Sequence, residues 1–270
     1  MFRYRPRVNP EVNDHWLCDY GRFSYERYET DRVVVPKVRT EDDYLGISTW
    51  IEALEAIANA AATSKNSVVI ASANMTNEEA ALAVELSKRL GASIDVMVDP
   101  IGPIKMKSRT EWLLGTQAAP NYRGVRAAID GKPATVPPYD PESGAPAGVR
   151  SQSIETLMTQ GAGGVDFLYV CDAMFSERAS DPAIVANLRK AKFLVVHSWD
   201  ANHPLCDAAD VLIPSTTHVE KEGTFTNLQG RQQQIVRAYA PKGQTVGDDE
   251  VFRRVIHELS ESGAPAAARG

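Results

Sequence analysis

Short, β-branched apolar runs alternate with stretches of helical period, and this alternation limits the chain to few architectures. Ser67–Ala71, Ser93–Val98, Val165–Val170 and Phe193–His197 are compact apolar runs of strand length. Between and around them, apolar residues recur every three or four positions. Trp50, Ile51, Leu54, Ile57, Ala58 and Ala61 form one stripe, and Leu82, Val84, Leu86 and Leu90 a second. Ile184, Val185 and Leu188 form a third, and Val251, Phe252, Val255, Ile256 and Leu259 a fourth. Helix starts are marked by Ser48-Thr49, by Thr76-Asn77-Glu78-Glu79 as a capping box, by Asp181-Pro182 and by Asp248-Asp249; Gly91 marks a stop. Strand, crossover helix and strand in succession predict parallel pairing. The expected class is α/β.

Two such β–α–β halves are separated by Ala118–Arg150, where prolines and glycines crowd together, so a linker between two lobes is expected there. A cleft between the lobes would suit a large ligand. At 270 residues the chain is long enough for both lobes. Arg3–Pro10 reads as a short basic strand, Arg32–Arg39 as another bounded by proline, and Arg231–Val236 as a further one.

A formal charge of -6 argues against a nucleic-acid partner. No apolar run approaches the ~20 residues that span a bilayer, and Met1–Arg5 has no apolar core of a secretory signal. Three scattered cysteines, Cys18, Cys171 and Cys206, do not make a disulfide framework, which fits a reducing, cytoplasmic setting. No Gly-x-Gly-x-x-Gly accompanies the strands, and no Gly-x-Ser-x-Gly accompanies His197, Ser198, Asp200 and His203, so these last read as hydrogen-bonded structure. Ala71–Met75 ends a strand and enters a helix, a place suited either to an anion or to a cap alone.

The polar stretch from Asp210 to Arg231 is the most specific. Ala-Asp-Val-Leu-Ile-Pro at 209–214, then Glu-Lys-Glu-Gly-Thr-Phe-Thr-Asn-Leu-Gln-Gly-Arg-Gln at 220–232, resembles the signature of the molybdopterin oxidoreductase family. Asn9–Arg22, Asn-Pro-Glu-Val-Asn-Asp-His-Trp-Leu-Cys-Asp-Tyr-Gly-Arg, resembles a segment of that family's complex I member, the large iron–sulfur subunit of bacterial NADH:quinone oxidoreductase.

The resemblance implies two Rossmann-like parallel-sheet lobes, of the family's domain II/III type, and a short N-terminal β remnant of the iron–sulfur domain. The expected boundaries are 1–45 for the remnant, 46–117 for the first lobe, 118–150 for the irregular linker, 151–262 for the second lobe and 263–270 for a disordered tail. It implies that Cys18 matches the fourth thiolate of a 4Fe-4S cluster. The other three thiolates belong to an upstream Cys-x-x-Cys-x-x-x-Cys run, expected on a partner chain or lost by truncation. If a pterin binds, Thr224, Asn227, Gly230 and Arg231 would contact it, and Pro120-Asn121 would border its pocket. Where molybdenum-bearing relatives show Gly-x-Asn-Pro, however, this chain has Cys171-Asp172-Ala173-Met174-Phe175, with Asp172 in place of the glycine and Met174 in place of the asparagine, and the family's C-terminal barrel-like domain is not expected. A carboxylate in place of that glycine would repel a pyrophosphate. The resemblance thus implies a scaffold in a complex with iron–sulfur and flavin subunits. It would have no membrane span of its own, lie peripheral to the cytoplasmic face of the inner membrane, and hold no molybdopterin. The alternatives are a formate dehydrogenase-like molybdenum or tungsten subunit, or a cofactor-free assembly module.

Overall fold

The computed structural model describes residues 3–17, 19–99, 119–132, 152–227 and 230–261. Seven strands form one sheet: β1 (Lys37–Arg39), β2 (Leu45–Ile47), β3 (Ser67–Ser72), β4 (Ser93–Met97), β5 (Phe167–Val170), β6 (Phe193–Ser198) and β7 (Val211–Pro214), in the order β2-β1-β7-β6-β5-β3-β4. From β3 to β7 all pairs are parallel, as the crossovers predict; β1 joins β7 antiparallel, and β2 joins β1 antiparallel.

The helices cover both faces. α2 (Trp50–Thr63), α3 (Asn77–Leu90), α4 (Tyr122–Asp130) and α8 (Asp248–Glu261) pack on the face presented by Val69, Phe167, Tyr169, Val195 and Ile213. α5 (Gln152–Gln160), α6 (Pro182–Leu188) and α7 (Pro204–Ala208) pack on the face presented by Ile70, Leu168, Val170, Val196 and Leu212. Because both faces are covered, β5 and β7 are buried at every position and their sequences are continuous apolar runs rather than alternating ones. α1 (Asp19–Phe23) lies in the N-terminal segment, and a separate hairpin joins β8 (Gly223–Thr226) to β9 (Gln232–Ile235).

The local signals hold. Thr76 accepts from the Glu79 amide at 3.1 Å while Glu79 accepts from the Thr76 amide at 2.7 Å. A second box joins Thr49 and Glu52. Gly91 closes α3 in the left-handed region at φ 62, and Asp181 caps α6.

Five expectations are corrected. The two β–α–β halves do not face each other across a cleft: β5 pairs with β3, Ser67 opposite Phe167, so both halves share one sheet. The reason is that β3 and β5 are both covered on both faces, so their peptide groups need ladder partners on both edges. The boundary at 45/46 falls inside β2, which is bonded into the same sheet through β1. Arg3–Pro10 forms no strand; charges alternate there with prolines that lack a donor, and only an isolated bridge joins Asn9 to Asp14. The strand expected over Arg32–Arg39 narrows to Lys37–Arg39, past Pro36. Within the expected linker, Tyr122–Asp130 is helical and ends at Gly131, φ 62. Residues 118 and 133–150 of that linker, the tail 263–270 and Cys18 lie outside the described residues.

Candidate functional site

Numbering only the parallel strands, the order β4-β3-β5-β6-β7 is 2-1-3-4-5, a doubly wound sheet whose direction of winding reverses between β3 and β5. Ligands of such sheets bind in the crevice at the carboxyl ends of the strands beside that reversal. Here the crevice lies between the loop after β3 and the loop after β5. Asp172 closes it. Its Oδ2 accepts from the Ser72 hydroxyl at 2.8 Å and the Asn74 amide group at 3.0 Å, and its Oδ1 from the Met174 amide at 2.9 Å. One carboxylate thus ties β3's loop to β5's loop. After β4, Asp99 does the same for the next turn, accepting from the Ser176 hydroxyl at 2.9 Å and the Glu177 amide at 2.6 Å. The space left among Ser72, Asn74, Asp99, Met174 and Ser176 is about 40 Å³. That is room for a few waters, against roughly 300–1,000 Å³ for a ligand pocket. An anion placed here would meet the nearly buried Asp99 carboxylate, and the donors of Ser72, Asn74, Met174, Ser176 and Glu177 already serve Asp172 and Asp99. The residues at this crevice do not fit a pyrophosphate.

The signature loop before β8 is turned the other way, into the protein. Glu220 has a fully buried side chain and takes a bidentate pair from Arg32, at 2.7 and 3.0 Å. Arg32 spends its remaining donors on the carbonyls of Tyr28, Trp199 and Ser215. Lys221, also buried, sits between two carboxylates, Glu79 at 3.0 Å and Asp248 at 3.1 Å. Asp248 accepts further from the hydroxyls of Ser215 and Thr216. Its other oxygen lies 3.5 Å from Nδ1 of His197, whose Nε2 is 2.6 Å from the Tyr169 hydroxyl.

Two carboxylates share one lysine in this cluster, and they respond oppositely. Burial pushes Glu79 up to about 7; Lys221 offsets only part of that and Asp248 adds to it. Burial also acts to raise Asp248, but Lys221 and His197 outweigh it and hold that carboxyl at about 2. Burial holds Lys221 back less than its two carboxylates push it up, so it stays charged.

The sequence-predicted contacts occupy the hairpin. At Gly223, φ 145, the backbone passes so close to α3 that a Cβ would lie 2.6 Å from Glu78. Thr224 accepts from Asn77 at 2.9 Å and gives its amide and hydroxyl to Glu78, both at 2.8 Å. Thr226 gives its amide to Asn121 at 2.6 Å; Asn121 is fully buried and donates to the Met75 carbonyl and to Asn77. Asn227 accepts from the Arg231 amide on its side chain and from the Gly230 amide on its carbonyl. The Arg231 guanidinium reaches Glu11 at 2.5 Å on the surface. Thr224 therefore faces α3, whereas Asn227, Gly230 and Arg231 gather at the turn.

The remaining candidates are structural. His203 caps α7, accepting from the Leu205 amide, and the Ser198 hydroxyl donates to the Asp200 carbonyl and accepts from the Asp200 amide. His218 lies against the rings of Tyr4 and Tyr28. Cys171 is buried, and burial pushes its thiol well above the usual range; Cys206 is pushed up to about 11 by the same cause. Neither favours the thiolate that a metal needs. Among the described residues no group of three or more His, Cys, Asp or Glu could hold a metal ion.

Residues 143–258 match the family model described as molybdopterin oxidoreductase. The likeness is to the molybdopterin oxidoreductase family. It runs from ahead of α5 into α8, hence across the loop with Asp172 and the whole signature loop. NADH-quinone oxidoreductase subunit 3 of Thermus thermophilus is 37% identical over 92 residues, 33% of this chain and 12% of the relative. The mitochondrial NADH-ubiquinone oxidoreductase 78 kDa subunit of Neurospora crassa is 34% identical over 96 residues, 34% of this chain and 13% of the relative. The matched parts are thus a small fraction of those family members. Acetylene hydratase from Pelobacter acetylenicus superposes at 10% identity and TM-score 0.47, covering 95% of this chain and 66% of that one.

Local sequence signals do not reveal the Lys221 cluster or the Arg32–Glu220 pair. Their members stand 142 and 188 positions apart. Only Glu79, as the last residue of a capping box, and Asp248, at a helix start, stand out in the sequence, each for a local reason.

Proposed function

We propose that this chain is a scaffolding subunit of an NADH:quinone oxidoreductase-like electron-transfer complex, with no molybdenum site of its own. The observation that carries the reading is Asp172, tied by three hydrogen bonds across the place where a family cofactor would need donors. The relatedness to complex I subunits supplies the kind of assembly. In this reading iron–sulfur and flavin subunits hold the redox centres, and Cys18 adds one thiolate to a 4Fe-4S cluster whose other ligands are a partner's. The chain sits peripherally, on the cytoplasmic side; among the described residues no helix is long and apolar enough to cross a membrane.

The test is purification of the full chain from its host, grown with molybdate. The expected result is copurification with flavin- and iron–sulfur-bearing subunits, with no molybdenum or tungsten above background. Bound metal with a pterin would instead establish the formate dehydrogenase-like alternative, with Thr224, Asn227, Gly230 and Arg231 as its contacts. Stable complexes without iron absorbance would establish the cofactor-free assembly module.

A further inference from the structure

The sheet ends at β2, and among the described residues no strand lies beyond it. The hydrogen bonds from Thr40 N to Tyr44 O and from Ser48 N to Pro36 O put Tyr44, Gly46 and Ser48 in register with β1. By the antiparallel alternation, Leu45 and Ile47 point their N–H and C=O groups away from β1. Beside this open edge, Tyr44 is 68% exposed and Ile47 77%, and Ile51 follows, also exposed, in the first turn of α2. Tyr44 leans over Gly46 on one face of the sheet, and Ile47 stands on the other with Leu45. An added strand, whose side chains alternate between faces, would find an apolar neighbour on each. The turn into β2 carries Glu41, Asp42 and Asp43, all exposed, and Asp43 pairs with Arg39.

We infer that β2 receives a strand from a partner chain, an extended segment with apolar residues on both faces and lysine or arginine beside them. Unmet peptide groups and flanking apolar side chains are the two components of strand addition. The acidic turn selects a basic segment over a neutral one and sets its register. This inference rests on the proposed role within a complex and names where one partner docks.

The test uses the full chain in its host with a photo-crosslinking phenylalanine derivative in place of Ile47, and a control at exposed Val236. Crosslinks are expected to a segment of a different polypeptide that contains lysine or arginine among apolar residues. They should fall at least fivefold when Glu41→Lys and Asp42→Lys are combined. Ile47→Pro removes a donor that β1 does not use, so the fold should survive by circular dichroism while that partner is lost from the purified complex. Crosslinks to a second copy, to this chain itself, or none above the Val236 control would overturn the inference. So would a complex that Ile47→Pro leaves whole, and in that case the proposed function stands. A wild-type chain that purifies without partners sinks the proposed function, and the Ile47 crosslinks then decide the edge separately.

Discussion

At the carboxyl ends of β3 and β5 the polar side chains stand at the rim of the sheet; in the loop before β8 they are sunk beneath it. Both regions are rich in the residue types that bind phosphate-bearing ligands, and both bind each other instead. At the rim, Asp172 gathers donors from two loops and one carboxylate closes the crevice. In the loop, Arg32 and Lys221 neutralise three buried carboxylates. Polar composition alone therefore does not reveal which way a loop faces. The rim cluster ties the loops after β3 and β5 together; the buried cluster holds the signature hairpin on α3.

The comparison is sharpest where the buried lysine is removed. Lys221→Met should leave Glu79 and Asp248 facing each other unneutralised and destabilise the protein by ~3–5 kcal/mol. Urea unfolding with an unchanged m-value measures this; a loss under ~1 kcal/mol would mean that water reaches the cluster.

A pH series separates the two carboxylates. Glu79 has a folded pKa above its unfolded one, so its contribution is fully present below about 4.5 and is lost as pH rises through about 7. Asp248 has the opposite sign: its contribution is present above about 3.8 and lost as pH falls toward about 2. Stability should therefore fall between pH 5 and 7 by up to ~1.4 kcal/mol per unit, and Glu79→Gln should flatten that slope. A slope unchanged in the variant would assign the proton to another group.

At the rim the expected loss is smaller. Asp172→Ala leaves Ser72, Asn74 and the Met174 amide without their acceptor, at about 1–3 kcal/mol, because nearby solvent replaces part of the bonding. An equal loss at Asp172 and Lys221 would erase the distinction between the regions. Smallest of all, Arg231→Ala breaks an exposed pair with Glu11 and should change stability by ~1 kcal/mol or less. A larger effect would place Arg231 in the support of the hairpin.

Much of the α/β framework was legible because its signals are local. Thr76 and Glu79 are three positions apart, Asp181 adjoins Pro182, and Gly91 follows the last turn of α3 directly. The joining of the two halves was not legible, since nothing within Ser67–Ala71 or Val165–Val170 states that each is the other's neighbour. The signature loop could be found but not oriented. Its sequence offers Thr224, Asn227, Gly230 and Arg231 as ligand contacts, and only Arg32, Glu79 and Asp248 draw its start, Glu220 and Lys221, into the interior.

The sequence by itself determined the elements, their caps, the parallel pairing and the family likeness, because hydrophobic period and capping act over a few residues. Tertiary structure alone decided the strand order, the closure of the crevice by Asp172 and the burial of Lys221. Those outcomes depend on which distant groups meet once water is excluded, and a buried charge is tolerated only where its counter-charges have already been brought to it.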